Sequence, residues 1–342
     1  MKKLAILAVS CLALSACSTP NAQADDQINV VASTTQICDY VKQLNLDDVD
    51  LTCLLAPNAS AHDHEMTHEQ LTKLSKADLM LVNGVDLEHF LDDAVESSGF
   101  KGTMVVTTGV LTGEEVEGTV NDGDLPYTID RGIAKVAVEK WPFAPEPGEV
   151  AEFTYDPHVW TTPRNAKIQV GNIGNALKNA TDNEETKKDI DAAVDLYQKQ
   201  LQELDDWAAE SIASVKDPVL FTSHDAFGYF SAAYGVNFVG AALSDFNEQQ
   251  DATASHIAEA AETVRASGAT ALFAENSNNS KSIEAIAKAA GVKAIVGEDA
   301  LYGDSLGPAG SEGETYVGSI IHNIETVVDA WGGTLAPLPA SL

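Results

Sequence analysis

The chain has 342 residues, 52 of them acidic and 20 basic, for a formal charge of −32. A field of that sign repels nucleic-acid phosphates and anionic headgroups, so neither is expected as a direct partner, while cations are concentrated around the molecule. With 44% hydrophobic residues, the length predicts about two domains with full cores. Solubility alone is a sufficient reason for the excess charge, so the charge by itself assigns no function.

The first residues, MKKLAILAVSCLALSAC, put two lysines before an apolar run too short for a comfortable membrane span, then small residues before Cys17. This is the pattern of an export signal. Leu14-Ser15-Ala16-Cys17 resembles a bacterial lipobox, in which the cysteine is lipid-modified and becomes the first mature residue. Residues 1–16 are therefore expected to be removed and 17–26 to form a polar tether. The mature protein is expected outside the cytoplasm, anchored to the cell membrane through lipid alone or held in a periplasm. Several acyl chains on one residue give stable anchoring where one is marginal. Cys11 leaves with the signal, so Cys38 and Cys53 remain as an even pair in an oxidising compartment, which suggests a disulfide. Spacing does not show that their Cβ atoms meet.

Beyond the tether, INVVAST, DLTCLLA, DLMLVNG and TMVVTTG are short apolar runs starting at 28, 50, 78 and 103. Helix-like stretches such as DLEHFLDDAVESSG separate them. Strand and helix in alternation predict right-handed crossovers and a parallel sheet. Residues 111–153 break the pattern, being rich in Gly, Pro and Glu, and read as a long acidic loop. A different period follows: Ile190, Val194, Tyr197, Leu201, Leu204 and Ala208 trace one helical stripe through about thirty residues, roughly 45 Å of helix. PVLFTSH, NFVGAAL, ATALFAEN and VKAIVGED then resume the alternation. The expected fold class is α/β, with two parallel-sheet lobes joined by one long rigid helix. The lobes are expected over 27–183 and 216–342, with the linking helix over 184–215.

Residues 60–71, SAHDHEMTHEQL, contain HEMTH, a literal match to the H-E-x-x-H zinc-protease motif. That chemistry needs both histidines on one helical face, four residues apart, with the glutamate activating a metal-bound water. Here Pro57 to Ser60 read as loop, and Thr67 with Gln70 fits a capping box, so the helix is predicted to begin beyond His64.

Ligands of open α/β sheets collect beyond the carboxyl ends of the strands, where several candidate donors fall. His62 follows the second strand, His224 ends PVLFTS, Glu275 ends ATALFA and Asp299 ends VKAIVGE, while His158 sits in DPHVWTTP just before a helix. Three imidazoles and a carboxylate from four loops form a donor set for a divalent cation; imidazole suits zinc, and more carboxylate shifts preference toward manganese. Glu275 fits the outer support that a ligating imidazole needs on its second nitrogen. His89, His256 and His322 read as surface or packing residues within helices.

These segments together resemble the zinc/manganese substrate-binding proteins of bacterial ABC transporters. The resemblance rests on AHDHEMT with His62, DPHVW with His158, SHDAFGYFSAAYG with His224 and GEDAL with Asp299, and runs from about residue 28 to the C-terminus. It implies a bilobal architecture around a rigid helix, a metal held by His62, His158, His224 and Asp299, and delivery of that metal to an ABC permease. Ala61, His64 and Met66 depart from the family's first loop, where proline, an aromatic residue and proline are usual, and they leave His64 as a competing donor. Histidine at the third position points to Zn²⁺, with Mn²⁺ as the alternative. A histidine-rich loop, frequent in zinc-specialised relatives, is here acidic and has no histidine. The implied protein is a monomeric binder with no catalytic residues. Two other readings stay open: a secreted metal-dependent hydrolase using HEMTH, and a surface adhesin in which metal is only structural.

Overall fold

The computed structural model describes residues 27–62, 64–120, 122–141, 143, 154–242 and 253–342. The expected signal peptide, Cys17 and its tether, and part of the 111–153 stretch lie outside the described residues. Two all-parallel sheets are present. The first takes β1 (Ile28–Ala32), α1 (Thr35–Leu44), β2 (Val49–Cys53), α2 (His68–Leu74), β3 (Leu79–Val82), α3 (Leu91–Ser98), β4 (Thr103–Val106), α4 (Gly113–Val116) and β5 (Thr128–Asp130), in strand order β2-β1-β3-β4-β5. The chain then runs through α5 (Pro163–Asn179) and α6 (Glu184–Ile212). The second sheet is built from β6 (Val219–Thr222), α7 (Gly228–Tyr234), β7 (Asn237–Ala241), α8 (Ala254–Ser267), β8 (Ala271–Phe273), α9 (Lys281–Ala290) and β9 (Lys293–Ile295), in order β7-β6-β8-β9, and α10 (Tyr316–Ala330) closes the chain.

Side chains alternate across each strand, and the two faces feed different cores. Val30 and Ala32 of β1 and Leu79 and Leu81 of β3 point to one side, Val31, Met80 and Val82 to the other. In the second sheet Leu220, Ala271 and Phe273 oppose Phe221 and Leu272 in the same way. The inner faces of both sheets share a single core, filled by Ile190, Tyr197, Leu201, Leu204 and Ala208 of α6 together with Tyr316, Ile320 and Ile324 of α10. The linking helix is thus a spine packed into both lobes. Its 29 residues span about 44 Å. Asn183 caps it, its Oδ1 accepting from the amides of Glu185 and Thr186. A Cβ at Gly174 would run into Val194, so glycine there lets α5 lie close against α6.

The stretch read as a structureless acidic loop differs from that expectation. It contains α4, and β5 extends the first sheet by pairing with β4. Its residues, TID, form no apolar run of their own, which is why this strand was not expected. Further on, Lys140 and Tyr155 form an antiparallel bridge next to Asp156. Cys38 on α1 and Cys53 at the end of β2 are joined as a disulfide, their Cα atoms 5.6 Å apart.

Candidate metal centre

The loop after β2 carries His62. Asn58 adopts a left-handed backbone (φ 63°), and its amide donates to the carbonyl of Leu306 in the other lobe at 3.0 Å. Ser60 Oγ accepts from the His62 amide at 3.2 Å and donates to Asp304 Oδ2 at 3.2 Å. Helix α2 starts at His68 because Thr67 and Gln70 close a reciprocal capping box. His64 therefore stands in the loop, its ring 5.1 Å from that of Phe90, and burial lowers its pKa. His64 and His68 share no helical face, and His64 is not among the residues that converge on the cleft.

His158 is placed by the turn that Asp156 and Pro157 make before α5. Asp156 Oδ1 accepts both the His158 amide, at 2.9 Å, and Nδ1–H, at 2.7 Å. With Nδ1 so occupied, Nε2 is turned into the cleft, 3.0 Å from Nε2 of His62. His224 comes directly after β6. Glu275 Oε1 accepts its amide at 2.9 Å, and Oε2 lies 3.4 Å from its Nδ1. Glu275 is itself aligned by Ser223, whose hydroxyl accepts from the Glu275 amide at 3.2 Å.

The carboxylate that meets the three imidazoles belongs to Asp304. Its oxygens lie 3.5 Å from His62 Nε2, 3.4 Å from His158 Nε2 and 3.9 Å from His224 Nδ1. One donor atom from each of His62, His158, His224 and Asp304 falls within 4.8 Å of all the others. Asp299, expected as the fourth ligand, does not converge with them: it ends an exposed 3-10 turn, Gly297–Asp299. The reason is backbone path. After β9 the chain turns on the outside, Leu301 returns to bridge with Glu275, and only at Gly303 does the loop reach the cleft. A Cβ at Gly303 would strike the Glu275 carboxylate, so only glycine lets the loop pass that close. The Gly303 carbonyl accepts the Trp160 indole N–H at 2.9 Å, and the Leu306 amide donates to Thr35 Oγ1 at 2.9 Å.

Sequence reasoning also missed the support behind this loop. Asn323 on α10 pairs with both backbone groups of Tyr302, at 2.8 and 2.9 Å. His322, buried beside it, spans the Ala300 carbonyl at 3.0 Å and the Glu312 carboxylate at 2.7 Å. A buried polar pair in an otherwise apolar helix, following YGDSLG, was the available signal.

The electrostatics divide the four residues. Burial, aided by the neighbouring imidazoles, holds His62 and His158 well below the usual histidine range, so both are neutral donors. Burial also opposes charge on His224, but the Asp304 and Glu275 carboxylates outweigh it and drive that pKa well up. Burial pushes Asp156 up to about 7. Three imidazoles and one carboxylate, removed from solvent and within one coordination shell of each other, fit a four-coordinate divalent cation.

Two parallel-sheet lobes on a shared helical spine, with a buried donor cluster drawn from both, define a bilobal α/β binding protein of the cation-capturing kind. The sequence profile described as "Zinc-uptake complex component A periplasmic" matches residues 30–330, and the chain belongs to that family. Among its relatives, the manganese-binding lipoprotein MntA of Bacillus subtilis (strain 168) is 28% identical over 325 residues, covering 93% of this chain and 95% of its own. The zinc-binding protein TroA of Treponema pallidum (strain Nichols) is 30% identical over 316 residues, 91% of each. The solved structure of the periplasmic zinc-binding protein TroA from Treponema pallidum superposes with a TM-score of 0.70 at 26% identity, over 89% of this chain and 99% of that one.

Proposed function

We propose that this protein is the extracytoplasmic component of an ABC transporter, capturing Zn²⁺ between its lobes and delivering it to the membrane permease, with Mn²⁺ as the alternative cargo. The observation that carries this reading is the convergence of His62, His158, His224 and Asp304, two from each side of the α6 spine, on one buried point. A cation held there bridges the lobes, so loading and lobe closure are coupled. Three imidazoles with a single carboxylate favour zinc over manganese, whose preference is for oxygen donors. Glu275 and Asp156 act as outer supports, fixing the rings of His224 and His158. In this reading Cys17 carries the lipid that keeps a monomeric binder beside its permease.

The protein is read as a binder, not a catalyst. Four protein donors leave no open position for substrate or activated water, and the HEMTH histidines lie on opposite sides of the Thr67 cap. Native mass spectrometry with elemental analysis, on protein purified without added metal, tests the reading. One zinc per chain is expected for wild type and for Asp299→Ala, and loss of it for His158→Ala, His224→Ala and Asp304→Ala. Stoichiometric metal in Asp304→Ala together with His224→Ala contradicts it.

A further inference from the structure

Two indoles from the N-terminal lobe flank the ring of His158, Trp160 at 5.4 Å and Trp141 at 5.6 Å between centroids. Each also reaches into the other lobe, to the residue next to a member of the cluster. Trp160 Nε1 donates to the carbonyl of Gly303, which precedes Asp304. Trp141 Nε1 donates to Asp225 Oδ2 at 2.7 Å, and Asp225 follows His224. The two contacts differ in kind. Trp160 is buried and bonds a backbone carbonyl, whereas Trp141 is half-buried, lies within the acidic insertion and bonds a side chain.

Trp141 is itself well fixed. Its amide donates to the Thr154 carbonyl at 3.1 Å, and the Asp156 amide donates to the Glu139 carbonyl at 3.0 Å, so the 139–141 strip runs directly beside the residue that orients His158. Tyr229 of α7 ties the same strip to the second lobe, its hydroxyl donating to the Asp156 carbonyl at 2.8 Å and accepting from the Glu139 amide at 3.0 Å. Asp225 is only 3% exposed, which places the indole-carboxylate bond away from water.

We propose that Trp141 is a positioning residue that bolts the His224 segment to the His158 side of the cleft through Asp225, and so sets how fast the captured cation leaves. Release requires the His224 side to separate from the His62–His158 pair, and the Trp141–Asp225 bond must break in that motion. Trp160 holds the Asp304 side by a contact buried in the shared core, so the Trp141 contact is the one that yields first. The inference rests on the reading of the four-residue cluster as the cation site.

The test is stopped-flow release of zinc from the full chain into excess chelator, with loading measured separately by elemental analysis. Trp141→Phe keeps an aromatic ring beside His158 and removes the N–H donor. It is expected to load one zinc per chain and to release it about tenfold faster, the loss of one buried hydrogen bond. Asp225→Asn, a weaker acceptor, should release faster by a smaller factor, and the double variant should be no faster than Trp141→Phe alone. In wild type, hydrogen exchange of the Trp141 indole N–H should be slower in the zinc-loaded state than in the metal-free state. Normal loading with an unchanged release rate in Trp141→Phe, or fully additive effects in the double variant, overturns the bolt and leaves the cation site standing. A wild-type chain that takes up no zinc overturns both.

Discussion

The two lobes meet the proposed cation site on unequal terms. The first supplies His62 and His158, imidazoles that burial keeps neutral. The second supplies Asp304 and a His224 set against Glu275, with Asp225 close by. Charge neutralisation therefore falls to the second lobe and geometric selection to the first. The anchoring differs as well: the loop of His62 follows a disulfide and precedes a capping box, whereas the loop of Asp304 depends on its hydrogen bonds with Trp160, Thr35 and Asn323.

The largest expected effect breaks the charged half. Asp304→Ala should weaken zinc binding by more than the ~100-fold that marks loss of a strong outer support, as read by competition with a chelator, and should cost more than His62→Ala. Equal losses for the two would erase the asymmetry.

Acidification comes next. His62 and His158 have lowered pKa values and stay available as pH falls, but His224 has a raised one, so in the metal-free protein a proton occupies the position that the cation needs. Affinity should rise with pH through and beyond the ordinary imidazole range and fall as pH drops, with proton release on binding. Calorimetry in buffers of different ionisation heat, between about pH 5 and 8, reads that proton directly. Glu275→Gln removes one of the carboxylates that hold it and should move the profile to lower pH. Affinity independent of pH contradicts the assignment.

The outer supports sharpen the comparison at a smaller scale. Asp156→Asn and Glu275→Gln should each lower zinc affinity by about tenfold near neutral pH. Stability separates from binding in the disulfide: replacing Cys38 and Cys53 by Ser should cost about 3 kcal/mol for a 15-residue separation, seen in thermal unfolding, while zinc affinity changes little. Asp299→Ala and His64→Ala should change affinity least of all, since neither residue reaches the cluster.

Much of this was legible in the sequence where the signal is periodic or local. Eight apolar runs marked eight of the nine strands among the described residues, and the stripe from Ile190 to Ala208 marked the spine. His158 and His224 stood out because one lies in a Pro-bounded turn and the other directly ends a strand. Thr67 with Gln70 was enough to place the start of α2 and so to take His64 out of a helical pair. The fourth donor was misplaced by five residues. Strand ends locate the rim of a sheet, but they do not tell how far a loop travels before it turns inward, and here Leu301 must first return to Glu275. β5 and the 139–141 strip were missed for a related reason: they are stabilised by neighbours distant in sequence, Met104 and Tyr229 among them, not by any pattern of their own.

X-ray absorption at the zinc edge, on protein loaded with one equivalent of metal, tests the central claim most directly. The account predicts a shell of three imidazole nitrogens and carboxylate oxygen, with no sulfur, and loss of the carboxylate contribution in Asp304→Ala. A largely hydrated ion with fewer than two imidazoles, or a shell unchanged by that substitution, contradicts it.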